Sequence, residues 1–393
     1  MHKSERHILT TVIVLTVCTM LPVTGVVPIL KQLIKDHYAV GDLATSLFMS
    51  VNMVGALLGA PVLGWLADRK GWFKSILVMA ALVDAGLWWL LYTRPAFVVL
   101  MGLRLLEGAA HIGVLTMLMT FMSSRSEGEG RRARMAGLGG GIMFGIALGS
   151  PLGGVLGKID ILLPLQAGAG VMVLVAVVAW SVLPSGERGG GKLSGPHWSK
   201  MLSRREMRLP YLFGFVDRFT IGVFIIAFML YTAHLGLGPR TTGFLIGAFM
   251  IPFAALSYPM GKLAERYGLW RFVLGGSFAF GCAYAAVAWL EGPLLWLDMV
   301  VCGCLSAVMF GPNLMLVNRA ATPELRGSAM AGFNAAGSLG FLVGPVTAGA
   351  LLEILGYFED PLTTYRIVFA VIGATEVLCV GWGIFRLWRT ERD

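Results

Sequence analysis

The sequence predicts an all-α membrane protein of about twelve transmembrane helices in two six-helix, pseudo-symmetric bundles. Three observations carry that expectation. The 393 residues are 56% hydrophobic and only 13% charged, where a soluble domain carries about a quarter charged residues. The apolar residues come in long blocks without period-2 alternation, which excludes a soluble sheet protein and an outer-membrane barrel. Two short signatures also recur six blocks apart. A helix needs roughly 20 apolar residues to cross a bilayer, because its backbone polar groups find no water there. The blocks therefore read as spans joined by short connections, with no room for a sizeable soluble domain.

In order, the expected spans are 8–33, 43–67, 74–93, 96–123, 133–158 and 161–183 in the first half. The second half holds 210–235, 241–264, 271–291, 294–321, 327–355 and 362–388. The basic stretch Met1 to Arg6 shows no small-residue cleavage site and reads as the lead into an uncleaved first span. The longest connection contains Gly189-Gly190-Gly191. Its Gly and Ser content makes it a flexible linker. The chain divides accordingly into an N-terminal bundle (1–183), a cytoplasmic linker (184–208) and a C-terminal bundle (209–393).

Lys and Arg fix the expected orientation. Most of the 31 basic residues fall at the two termini and in the even-to-odd connections. The odd-to-even connections hold only Lys31, Lys35, Arg94, Lys158, Arg240 and Arg366. An excess of Lys and Arg marks the cytoplasmic side, so both termini are expected in the cytoplasm of a multi-pass protein of the bacterial inner membrane. The net charge of +9 does not indicate nucleic acid, because the basic residues punctuate apolar blocks instead of clustering on a polar face. Cys18, Cys282, Cys302, Cys304 and Cys379 all lie in apolar blocks and are expected to pack as small apolar residues, with no metal clamp or disulfide framework.

The recurring signatures are specific. Gly64-Trp-Leu-Ala-Asp68-Arg69-Lys-Gly71 follows the second span, and Gly261-Lys-Leu-Ala-Glu265-Arg266-Tyr-Gly268 follows the eighth. Gly145-x-x-x-Gly149-Ser-Pro151 lies in the fifth span, and Gly340-x-x-x-Gly344-Pro345 in the eleventh. Matching signatures in matching slots mean duplication, which transporter folds use to build two bundles around a central site. Glycines four residues apart let helices approach closely, and proline adds a bend.

These residues resemble the major facilitator superfamily over the whole chain, in span number, connection placement and repeat. The resemblance implies the major facilitator fold and transport of a solute. It also implies that the Gly64–Gly71 turn and its weaker copy at Gly261–Gly268 latch one closed state. The basic pair that the family carries after the last glycine is Trp72-Phe73 here, with Lys74 displaced, so the latch keeps its aspartate and loses part of its charge relay. The fifth span is similar to the glycine-proline signature of the drug:proton antiporter branch, with Pro151 one place late and the better copy at Gly344-Pro345.

Charges at membrane depth are costly and mark function. Arg104, Glu107, Gly108 and His111 sit at i, i+3, i+4 and i+7, on one face of span four. A carboxyl at Glu107 is pulled two ways: loss of water favours its neutral form, Arg104 its charged form. It is therefore a candidate for proton coupling, a permanent ion pair with Arg104 being the alternative and direct substrate contact a third. His111 is either a proton relay or a packed, hydrogen-bonded histidine. Asp217 and Arg218 enter span seven as a proton-coupling and a substrate-cavity candidate, an inter-bundle pair being the alternative. Adjacent helix residues diverge by roughly 100°, so these two need not pair. The resemblance makes spans one, four, seven and ten cavity-lining.

Asn313 and Asp298, in span ten, complete the substrate candidates; Asp298 lies near the outer end and is expected to be solvated. Asp84 and Glu376 fall in peripheral spans, where inter-helix hydrogen bonds are expected. Phe219, Phe224, Tyr231, Phe249, Met250 and Tyr258 suggest a bulky lining suited to amphipathic organic solutes.

The sequence has no phosphate-cradling Gly-Lys-Ser/Thr loop, acidic metal cluster or nucleophile elbow. No enzyme activity, cofactor or metal is expected. The function expected is secondary transport by a monomer in the lipid bilayer, through proton-coupled export of a small organic molecule. A dedicated transporter of a metabolite, siderophore or organic anion, with Arg104 and Arg218 as anion clamps, is the second reading. A membrane scaffold without transport is the third.

Overall fold

A computed structural model describes residues 3–70, 73–124, 128–184, 205–321 and 326–390; within them, side chains are described except at 3–6, 61, 64–70, 123–124, 128–136, 205, 326–328 and 390. The helices are α1 (Lys3–Gly25), α2 (Asp42–Lys70), α3 (Phe73–Tyr92), α4 (Phe97–Ser124), α5 (Gly128–Ile159) and α6 (Leu163–Val182), then α7 (Arg205–His234), α8 (Pro239–Tyr267), α9 (Leu269–Ala286), α10 (Gly292–Ala320), α11 (Arg326–Leu355) and α12 (Pro361–Thr390). All twelve are long and apolar enough to cross a membrane. Among the described residues there is no β-strand, because helices satisfy every backbone group within one segment. Large apolar side chains such as Leu58, Trp180 and Leu378 lie exposed, which suits a lipid face.

The first expected span changes character at its outer end. Its α-helix stops at Gly25, and the chain runs on through a 3₁₀ turn (Val27–Ile29) carrying Pro28 and a wider helical turn (Lys31–Asp36). Proline at the start of the short turn lacks the N–H that an α-helix interior needs.

The chain forms two compact units. One takes Met1–Val40, Leu47–Leu193 and Gly238–Phe244, the other Gly41–Ser46, Ser194–Leu237 and Leu245–Asp393. Each has a glycine seam. In the first, α5 lies on α1: a methyl at Gly145, Gly149 or Gly153 would run into the carbonyl of Val17, Leu21 or Gly25 respectively. In the second, α11 lies on α7, and methyls at Gly340 and Gly344 would meet the carbonyls of Phe215 and Phe219. The four-residue spacing on both partners keeps the contact on one line of each helix. Pro151 and Pro345 lie inside α5 and α11, next to these seams.

The expected turn at Gly64–Gly71 is corrected by the backbone: α2 continues to Lys70. A helix end is held by its preceding hydrogen-bonded turns, so charged residues there do not by themselves break it. Of Gly64, Asp68 and Arg69 only that helical backbone is described, and Gly71 lies outside the described residues. The second copy shows where the reversal occurs. There α8 runs to Tyr267, the Gly268 N–H closes the last turn on the Ala264 carbonyl at 2.9 Å, and Gly268 adopts φ 108°. Only glycine enters that region without strain.

Phe224, Tyr231, Phe249 and Met250 are buried inside the second unit, and Phe219 is half-buried. Phe224 stacks on Phe228 with centroids 4.5 Å apart and tilts against Phe249 at 5.2 Å. These rings are bundle core rather than the expected lining, because aromatic pairs on facing helices gain both area burial and ring contact. Tyr258, by contrast, is exposed.

Candidate functional site

The span-four residues converge with side chains from two neighbouring helices. Arg104, Glu107 and His111 share a face of α4; Phe48 and Asn52 are four apart on α2; Asp84 and Trp88 are four apart on α3. Each set lines one helix face. Close approach of α2 and α4 brings the faces together: a methyl at Gly108 would collide with the Asn52 carbonyl, and one at Gly55 with the Leu105 carbonyl. Glycine beside Glu107 is thus what lets Asn52 reach it.

The cluster is dry, with Arg104 and Glu107 each 1% exposed. Glu107 Oε2 accepts hydrogen bonds from Arg104 Nη1 and Asn52 Nδ2. Arg104 Nε donates to the Phe48 carbonyl at 3.3 Å, and its guanidinium lies 4.6 Å from the Phe48 ring and 5.3 Å from that of Trp88. Such flanking rings stabilise a desolvated cation. One turn on, His111 Nδ1 meets Asp84 Oδ2 at 2.9 Å. Among the described residues, the outward atoms of this pair, Asp84 Oδ1 and His111 Nε2, have no hydrogen-bond partner.

Arg104, Glu107 and His111 are therefore assembled together; Asp84 makes the inter-helix hydrogen bond expected of it, with His111 as the partner, and Asn52 joins them. The signal for both lay in the four-residue spacing of Phe48 with Asn52 and of Asp84 with Trp88. Donor atoms of Asp84, Glu107 and His111 all lie within 4.8 Å of one another. That spacing matches a cation site, and the sequence expectation of no metal cluster did not foresee it. The Arg104 guanidinium already supplies positive charge to Glu107 there.

The second unit holds the remaining candidates. Asp217 is 4% exposed, and its Oδ2 lies 3.6 Å from Arg218 Nε, so the neighbours do approach each other. The Arg218 guanidinium lies 4.4 Å from the Phe310 ring and 5.4 Å from Phe341. Asn313 Nδ2 donates to the Pro210 carbonyl at 3.1 Å, tying α10 to α7. Glu376 is fully buried and accepts the Thr220 hydroxyl at 3.0 Å. Asp298 is corrected from solvated to buried: it sits one and a half turns into α10, turned inward with Cys302, whose Sγ lies 3.9 Å from Oδ2. Glu265 and Arg319 meet at 3.5 Å as an exposed pair, and Gly261 abuts Met315. Arg266 is exposed.

A family model described as Major Facilitator Superfamily matches residues 12–233 and 210–393. The Inner membrane transport protein RhmT of Escherichia coli (strain K12) is 26% identical over 176 residues, 44% of this chain and 39% of that protein. An Uncharacterized MFS-type transporter MJ1560 of Methanocaldococcus jannaschii is 27% identical over 128 residues, 32% of this chain and 33% of that protein. The aligned regions thus span well under half of these relatives. Among solved structures, the nucleoside transporter NupG superposes with a TM-score of 0.81 at 12% identity, covering 97% of this chain and 99% of that one. A bacterial homolog to the human lysosomal transporter Spinster, inward-facing and occupied, gives a TM-score of 0.81 at 14% identity over 98% and 97% of the chains. At these identities the likeness is one of fold. With twelve spans, a duplicated glycine seam and a family match over both halves, the chain belongs to the Major Facilitator Superfamily.

Proposed function

We propose that this protein is a proton-coupled secondary transporter exporting a small organic molecule by alternating access. The supporting observation is the buried Arg104–Glu107–Asn52 constellation with Asp84–His111 beside it. A carboxylate held by one guanidinium and one amide in a dry site is stable only while both donors stay in place. Loss of either donor, or entry of water, shifts Glu107 between its charged and neutral forms. His111 and Asp84, within 4.8 Å, give an adjacent group through which a proton reaches or leaves it. The resemblance of the fifth span to drug:proton antiporters supports export. The Lys and Arg bias supports placement in a bacterial inner membrane with both termini in the cytoplasm, and the charged ends at Gly64–Gly71 and Gly261–Gly268 serve as latches of one state.

Arg104 is committed to Glu107 and Phe48, and Arg218 lies beside Asp217. Neither is a free anion clamp, which weakens the organic-anion reading. In proteoliposomes, an imposed proton gradient is expected to drive substrate flux, and Glu107→Gln to abolish the response to the gradient while leaving substrate binding measurable. Unchanged gradient-driven flux in Glu107→Gln removes Glu107 from the coupling role.

A further inference from the structure

The second unit contains a polar cavity of about 10 Å³ lined by Phe213 and Asp217 of α7, Val273 and Ser277 of α9, and Met309, Phe310 and Asn313 of α10. A space of that size holds about one water-sized particle, which excludes an organic solute. Three of its walls are oxygen-bearing. Both Asp217 carboxylate oxygens lack a hydrogen-bond partner among the described residues, as does Asn313 Oδ1, and each side chain is only 4% exposed. The Asn313 amide has no choice of orientation: its nitrogen is needed by the Pro210 carbonyl, so its oxygen is the atom left for the cavity. Ser277, 2% exposed, donates its hydroxyl proton to Met309 Sδ at 3.3 Å and keeps its lone pairs.

A further unpartnered oxygen lies in the same unit: Glu376 Oε2 of α12 has no hydrogen-bond partner among the described residues. Among the described residues, the Arg218 guanidinium is the cation paired with Asp217. Unpartnered carboxylate and amide oxygens facing a closed space are what a low-dielectric interior tolerates poorly unless a particle fills it. Hard oxygen donors favour a hard cation. One carboxylate and few neutral donors fit a monovalent ion better than Ca²⁺ or Mg²⁺, which require about six or more oxygens.

We propose that the cavity bounded by Asp217, Ser277 and Asn313 binds a single Na⁺ ion. Asp217 provides the charge, Asn313 Oδ1 and Ser277 Oγ complete the oxygen set, and Asn313 links the ion to the α7–α10 contact. The site is independent of the proton role given to Glu107.

The test is thermal denaturation of the purified full-length protein in NaCl, against KCl and choline chloride at equal ionic strength and constant pH, with direct ²²Na⁺ binding in parallel. Na⁺ alone is expected to raise the melting temperature by a few degrees and to saturate, because it binds the folded chain selectively. Asp217→Asn abolishes the rise. Ser277→Ala, which removes one oxygen, weakens Na⁺ binding about tenfold. Glu107→Gln retains the full Na⁺ response, which separates this site from the coupling site. Equal responses to Na⁺ and choline with no saturable ²²Na⁺ binding to the wild type overturn the proposal and leave a buried water or a proton in the cavity. Should Asp217→Asn fail to fold, wild-type ²²Na⁺ binding unaffected by Ser277→Ala has the same force.

Discussion

At the residue scale, the Arg104–Glu107 pair exposes the asymmetry of buried charge. Each partner is 1% exposed, so removing one leaves the other uncompensated in a dry site, at a cost of about 3–5 kcal/mol. Replacing both with apolar groups of similar volume removes the desolvation cost together with the attraction, and is often neutral. Arg104→Met is therefore expected to lower stability in detergent by about 3–5 kcal/mol. The double variant Arg104→Met/Glu107→Met is expected to recover most of that loss while remaining inactive. Unfolding midpoints of the two variants and the wild type, combined as a double-mutant cycle, decide it. A double variant no more stable than Arg104→Met shows that the pair's role is not electrostatic. The spacing of Arg104, Glu107 and His111 on one face was legible in the sequence because it is local to one helix. Their partners Asn52 and Asp84 were not, because which face of α2 or α3 turns toward α4 is a tertiary choice. Asp298 was misread for the same reason: depth along a helix says little about which way a side chain points.

At the element scale, the repeated Gly-x-x-x-Gly pattern translates into two backbone-to-backbone seams, and not every glycine in α5 takes part. A methyl at Gly153 would overlap the Gly25 carbonyl, whereas around Gly140 there is nothing within 4 Å. Gly153→Ala must push α1 and α5 apart, an overpacking cost of about 1–3 kcal/mol. Gly140→Ala gains about 0.5–1 kcal/mol of helix preference instead. Thermal stability of the two single variants is the measurement, and a Gly153→Ala protein as stable as Gly140→Ala removes the seam as a constraint. The glycine-rich run at Gly139-Gly140-Gly141 is thus mixed: only Gly141 faces a neighbour, the backbone and side chain of Ile13. Pattern alone identified the helices that pack closely. It could not separate the glycines that permit contact from those that face open space, since that depends on helix rotation. The same limit applies at the end of α2, where a glycine-flanked charged stretch reads as a turn and the backbone stays helical through Lys70.

At the scale of the whole molecule, membrane placement rests on two independent properties of the chain. Among the described residues twelve helices are long and apolar enough to cross, and an even number of crossings puts both ends on one side. The Lys and Arg distribution is expected to choose the side, because basic residues near span ends resist translocation and set the orientation. The short connection at Asp160, between α5 and α6, belongs to the basic-poor set, whereas the C-terminal segment carries Arg386, Arg389 and Arg392. Alkaline phosphatase, which folds only where disulfides form, is therefore expected to be active when fused after Ile159 and inactive when fused after Thr390. A cytoplasm-dependent reporter at the same two positions should give the reverse pattern. If both fusions behave alike, the number of spans between them is even instead of seven and the twelve-span topology fails. If both invert, the count stands and the charge bias does not orient this chain.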